Sequence, residues 1–151
     1  MKNYKIHSIF TLIVTPLLLC ACSTKEDVPE AVRISFADRF PGVTDVDWEM
    51  ERPDEWEAEF DLHEMEYSAN FSMSGEWLET EHEINTTNIP SEVVTLVSSK
   101  YKDPQFKKAE VIESPLGQSF ELQIKSDQEN LTIEIDPDGI ISQVPEENDE
   151  D

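Results

Sequence analysis

Cysteine is almost absent from this 151-residue chain: Cys20 and Cys22 are the only two. Both lie in the stretch "LLLCACSTKED", residues 17–27, so the remainder can form no disulfide, thiolate zinc site or thiol nucleophile. Glycine is scarce, with 4 in all, and no Gly-x-Ser-x-Gly, phosphate-cradling loop or dinucleotide fingerprint occurs. Bases are few, 11 against 34 acids, giving a formal charge of −23. That balance argues against binding nucleic acid or anionic headgroups. The long apolar stretch, "IHSIFTLIVTPLLL", is short of the roughly 20 residues a membrane span needs, and Pro16 interrupts it.

What is present begins with that stretch. Lys2 and Lys5 precede it and Ala21 stands before Cys22, the order of a secretory signal: basic start, short apolar core, small residue at the cut. Leu19-Cys20-Ala21-Cys22 resembles the bacterial lipobox, which implies that residues 1–21 are removed and that Cys22 carries the lipid. An ordinary signal peptide that happens to contain cysteines is the alternative. Two or more acyl chains are what stable anchoring requires, at about 0.8 kcal/mol per buried CH₂. Residues 22–27 then read as a polar linker. Lys25-Glu26-Asp27 resembles the export tag of surface lipoproteins in the Bacteroidetes group, implying an outer-membrane anchor at the periplasmic face or the cell surface. Losing residues 1–21 removes Lys2 and Lys5 and no acid, so the formal charge moves from −23 to −25.

The rest reads as two copies of one unit, residues 28–84 and 85–144, followed by an acidic tail, 145–151. Pro29, Val32, Phe36 and Phe40 match Pro90, Val93, Val97 and Tyr101 at an offset of 61. Trp56, Phe60, Phe71 and Gly75 match Phe120, Ile124, Ile135 and Gly139 at 64. Val28, Val32, Phe36 and Phe40 recur every fourth residue, one apolar stripe of a helix that "FPGV" ends. "VDWEM", "EWEAEFDL" and "MEYSANFSM" alternate with period two, the mark of half-buried antiparallel strands. "SGEW" and "PDGI" supply turn glycines before a last strand in each copy. The expectation is an α+β protein of two tandem helix-plus-antiparallel-sheet repeats, a helix and then about four strands each, with Trp48, Trp56 and Trp77 in the core.

This tandem pattern resembles the PepSY-like family, whose members include lipoproteins likened to β-lactamase-inhibitor proteins. Its carriers are "VPEAVRISFADRFPGV" with "DWEM", "EWEAEFDL" and "GEWLE", then the paler second copy. The resemblance implies a binding or inhibitory envelope module and no known reaction.

The positions between the apolar ones are acidic: Asp45, Asp47, Glu49, Glu51, Glu55, Glu57, Glu59, Asp61, Glu64, Glu66, then Glu79, Glu81 and Glu83. Residues 28–84 hold 17 acids and 3 bases, and residues 85–144 hold 10 and 5. Asp47, Glu49, Glu57, Glu59, Asp61 and Glu66 form the candidate partner-binding face, for a basic envelope protein or, at low affinity, divalent cations. A solvated face that only keeps the protein soluble or coats the surface is the competing reading. One tight calcium site is disfavoured, because carboxylates alternating along a strand diverge. "HEMEY" fails as a zinc helix motif, since Tyr67 stands at the second ligand position, and "DPDG" reads as a turn. His82 is expected to face solvent. No catalytic residue, metal or cofactor is expected.

Overall fold

The computed structural model describes residues 27–144. The signal segment with Cys20 and Cys22, most of the linker and the acidic tail lie outside the described residues.

Pro29 and Pro90 each precede a ten-residue helix, α1 (Glu30–Arg39) and α2 (Ser91–Lys100). A proline there is preset for helical entry and gives up an N–H that would have no intrahelical partner. The strands are β1 (Asp47–Arg52), β2 (Glu55–Leu62), β3 (Met65–Ser72), β4 (Trp77–Glu83), β5 (Gln105–Ser114), β6 (Gly117–Ser126), β7 (Glu129–Ile135) and β8 (Ile141–Gln143). A short 3-10 turn, Thr86–Asn88, leads into α2.

The expected pair of tandem helix-plus-sheet repeats is not what the chain forms. All eight strands make one continuous antiparallel sheet in the order β1 to β8, with only two short α-helices among the described residues. The join is the pairing of β4 with β5, Thr80↔Glu113 through Glu83↔Glu110. Two separate sheets would each leave a long strand with unpaired N–H and C=O groups at that point, and pairing the two edges satisfies both.

The register carries one apolar face across the join. Trp56, Ala58 and Phe60 pair with Phe71, Ala69 and Tyr67; Tyr67 pairs with His82, His82 with Val111, Val111 with Phe120 and Phe120 with Ile135. Both helices cover that face. Val28, Val32 and Phe36 close over Trp56, Phe60 and Phe71, and Val93 and Val97 close over Leu122, Ile124 and Ile133, giving two apolar clusters under one sheet. Phe36 meets Phe60 edge-on at 5.0 Å and Trp48 at 5.3 Å, a favoured aromatic geometry.

Three bulges adjust which side a residue faces. The extra residues are Glu51 in β1, Leu78 in β4 and Lys107 in β5. A bulge resets the alternation by one. Leu78 thus lets Trp77 pair with Phe71 on the helix side while Glu79 pairs with Asn70 on the other. Trp77 donates its indole N–H to Thr80 Oγ1 at 2.9 Å. Lys107 does the same in β5: Phe106 joins the core and Lys108 turns to the uncovered face.

His82, expected to face solvent, is half-buried. It lies on the helix side, its ring stacked on Tyr67 at 4.6 Å, with Nδ1 buried and unpartnered. His63 and Glu64 are not strand residues but the two-residue turn between β2 and β3, both at positive φ. "DPDG" is a turn as expected, its Asp136 carboxylate accepting from the N–H groups of Asp138 and Ile140.

Candidate functional site

Neither helix covers the second face of the sheet, and acids fill it because every strand alternates. Core residues at Trp56, Ala58 and Phe60 force Glu57, Glu59 and Asp61 to the opposite side. All six candidate residues gather on β1 to β3 as cross-strand pairs: Asp47↔Glu59, Glu49↔Glu57 and Asp61↔Glu66. Like charges set directly opposite disfavour the pairing by a few tenths of a kcal/mol up to about 1 kcal/mol.

The join extends this acid patch beyond the first half. Ser68 of β3 pairs with Glu81, and Asn70 with Glu79. Past the join, Glu83 pairs with Glu110, Glu110 with Glu121 and Glu121 with Glu134. Glu110, Glu121 and Glu134 escaped the sequence reading as face residues. Their signal is present, since each is a lone acid between two core residues: Ala109 and Val111, Phe120 and Leu122, Ile133 and Ile135.

One end of the face is partly compensated, with Arg52 set between Glu51 and Glu55. Glu55, expected outward and wet, is 8 % exposed. It accepts from Arg52 at 3.0 Å and from the Asn70 amide at 2.9 Å, and Asn70 also donates to Glu51 at 2.6 Å. Towards the other half, Lys108 Nζ donates to Glu110 at 2.9 Å and lies 3.9 Å from Glu83, which holds the ammonium pKa above its ordinary value.

The centre between these ends is only partly compensated, since acids outnumber the cations, Arg52 and Lys108, that reach it. Partial burial, and then Glu79, Glu110, Glu121 and Glu57, push Glu81 up to about 7. Burial likewise raises Glu57, helped by Glu51, Glu59 and Glu49 against a Ser68 hydrogen bond. It raises Glu79, helped by Glu55 and Glu51 against Arg52, and Glu121, helped by Glu110 against Lys108. A cleft of about 300 Å³ opens here among Glu57, Glu59, Ser68, Glu81 and Glu110, with the Lys108 cation also in its lining. A wider hollow of about 600 Å³ lies at the end of β1 and β2, lined by Asp45, Asp47, Glu59, Asp61 and Glu66. Among the described residues no group of side chains is arranged to hold a metal ion. Chemically, the face can attract cationic groups and release protons as they arrive.

A helix-covered antiparallel sheet that leaves one broad acidic face open is a surface-presenting module. The chain belongs to the family described as "Putative beta-lactamase-inhibitor-like, PepSY-like", whose sequence model matches residues 54–143. Its fold is similar to that of a BLIP-like protein from Bacteroides fragilis, with a TM-score of 0.66 and 20% identity, over 83% of this chain and 92% of that one. It is also similar to a DUF2874 family protein from Bacteroides ovatus, with a TM-score of 0.66 and 18% identity, over 82% and 93% of the two chains. A third similar structure is a Bacteroides eggerthii protein described as a "putative periplasmic" protein, with a TM-score of 0.65 and 16% identity, over 78% and 88%. A comparison with curated proteins finds no match.

Proposed function

We propose that this protein is a non-catalytic binding or inhibitor-like module of the bacterial envelope, and that it docks a protein partner with a basic surface on the open face of its sheet. The observation that carries this reading is the crowding of Glu57, Glu79, Glu110 and Glu121 around the half-buried carboxyl of Glu81. Folding brings these charges together at a cost, and a partner bearing lysine or arginine recovers it. Charge complementarity of this kind steers association and selects the partner. The family's inhibitor-like description supports binding over catalysis. The periplasmic description of one similar structure supports an envelope location. Within this proposal Cys22 carries the lipid, and residues 22–27 space the folded part from the membrane.

The test is capture from envelope extracts, with the captured protein identified, purified and rebound. Replacing Glu57, Glu59 and Asp61 by lysine is expected to abolish rebinding with no fall in melting temperature. Glu30→Lys, on exposed α1, is expected to leave it intact. A triple variant that binds the same protein with the same affinity would sink the proposal.

A further inference from the structure

The two edges of the sheet are unlike. β8 is three residues long, and Lys100 of α2 donates to the carbonyl of Ile141 at 2.9 Å, so its backbone is short and already engaged. β1 is six residues long, and among the described residues no side-chain hydrogen bond reaches its backbone. One side of β1 is taken by β2. Along the other, alternate residues present N–H and C=O groups with no strand beside them among the described residues.

The two faces of this free edge also differ. Asp47 and Glu49 stand exposed on the open face, facing Glu59 and Glu57 of β2. Trp48 and Met50 lie on the helix side, packed on the core but only half-buried, because no neighbouring strand completes their cover. A second copy of β1 is a poor occupant. In antiparallel register it would set Asp47 and Glu49 against the same acids, and like charges directly opposite are destabilising.

The geometry points to β1 as the docking edge for an extended partner segment in which lysine or arginine alternates with apolar residues, added as a ninth strand. Its cations pair with Asp47 and Glu49 on the open face, and its apolar residues finish the burial of Trp48 and Met50. Backbone hydrogen bonds supply affinity in this mode, and alternate side chains supply selection. The inference shares Asp47 and Glu49 with the open face but adds backbone pairing at the edge, which docking on the face alone does not need.

The probe is a synthetic peptide as long as β1, alternating lysine and valine and blocked at both ends. It is titrated into the protein, and amide exchange is followed by NMR. Two analogues carry N-methyl groups on either the lysines or the valines, each removing every second N–H donor. An added strand turns only one of these two sets towards β1. Expected are slowed exchange of β1 amides and a loss of about ten-fold or more for one analogue but not the other. A peptide alternating glutamate and valine is expected not to bind, and Glu49→Lys is expected to weaken the lysine peptide. Equal affinities for the two N-methyl analogues, or unchanged exchange in β1, overturn the inference.

Discussion

Gly75 presses against Ala31: a methyl group built on Gly75 would stand 2.5 Å from the Ala31 carbonyl oxygen in α1. The hairpin between β3 and β4 therefore touches helix backbone that cannot yield like a side-chain tip. Gly139 occupies the corresponding turn between β7 and β8, where the nearest atom is Leu96 Cδ2 at an ordinary 3.7 Å. Both glycines have positive φ, 83° and 79°.

This contrast predicts unequal costs for one substitution. Gly139→Ala meets only the left-handed backbone penalty, about 1–2 kcal/mol. Gly75→Ala adds a backbone clash and is expected to cost roughly 3 kcal/mol or more. Denaturant midpoints of the two variants check it, and equal losses would remove the helix contact as the cause.

The crowded acids predict an inverted response to pH. In the folded chain Glu81 keeps its proton up to about pH 7, against an ordinary value of 4.5. Between those values the native state binds more protons than the unfolded one, so stability falls as pH rises through that window and stays low above it. Glu57, Glu79 and Glu121 shift in the same direction and add to the slope. Glu81→Gln is expected to stabilise by about 1–2 kcal/mol near pH 8, reduced by solvent screening, and to change little near pH 5. Thermal unfolding across that range is the measurement; a stabilisation independent of pH would contradict the assignment.

Arg39 offers a third test, at the end of α1. Its guanidinium carbon lies 3.2 Å from the centroid of the Trp77 ring, and its nearest carboxylate, Glu113 across the join, is 3.9 Å away and half-exposed. The ring contact should dominate. Arg39→Met, which keeps the aliphatic stem, is expected to cost about 1 kcal/mol. Glu113→Gln should stay within about 0.5 kcal/mol. Equal losses would assign the interaction to the ion pair instead.

Much of this was legible in the residues. Alternation in "EWEAEFDL" placed Glu57, Glu59 and Asp61 on one side, since Trp56 and Phe60 had to be inside. The stripe Val28, Val32, Phe36 announced which helix face is covered. The sheet's continuity was not legible, because pairing between "TEHE" and "EVIE" rests on backbone groups that every sequence carries. Two separate sheets and one joined sheet share the same hydrophobic pattern.

Where a bulge intervenes, alternation read from the chain fails for a definite reason. Trp77 and Thr80 are three apart and yet share the helix side, because Leu78 is the extra residue. Ignoring it left Trp77 ambiguous. His82 needed no bulge: it stands between Glu81 and Glu83, so alternation from those two outward acids already turns it to the helix side. Glu55 was misjudged differently: its direction was read well, but Arg52 and Asn70 close over it, and no periodicity reports such a cluster.

Strand order equals chain order throughout the sheet, so every new strand finds its template already laid beside it. A chain delivered amino end first through a narrow opening can therefore build its sheet as it arrives, waiting for no distant segment. At each stage the growing margin is sealed by the next stretch to emerge, so of the described strands β1 alone keeps an open margin from first to last.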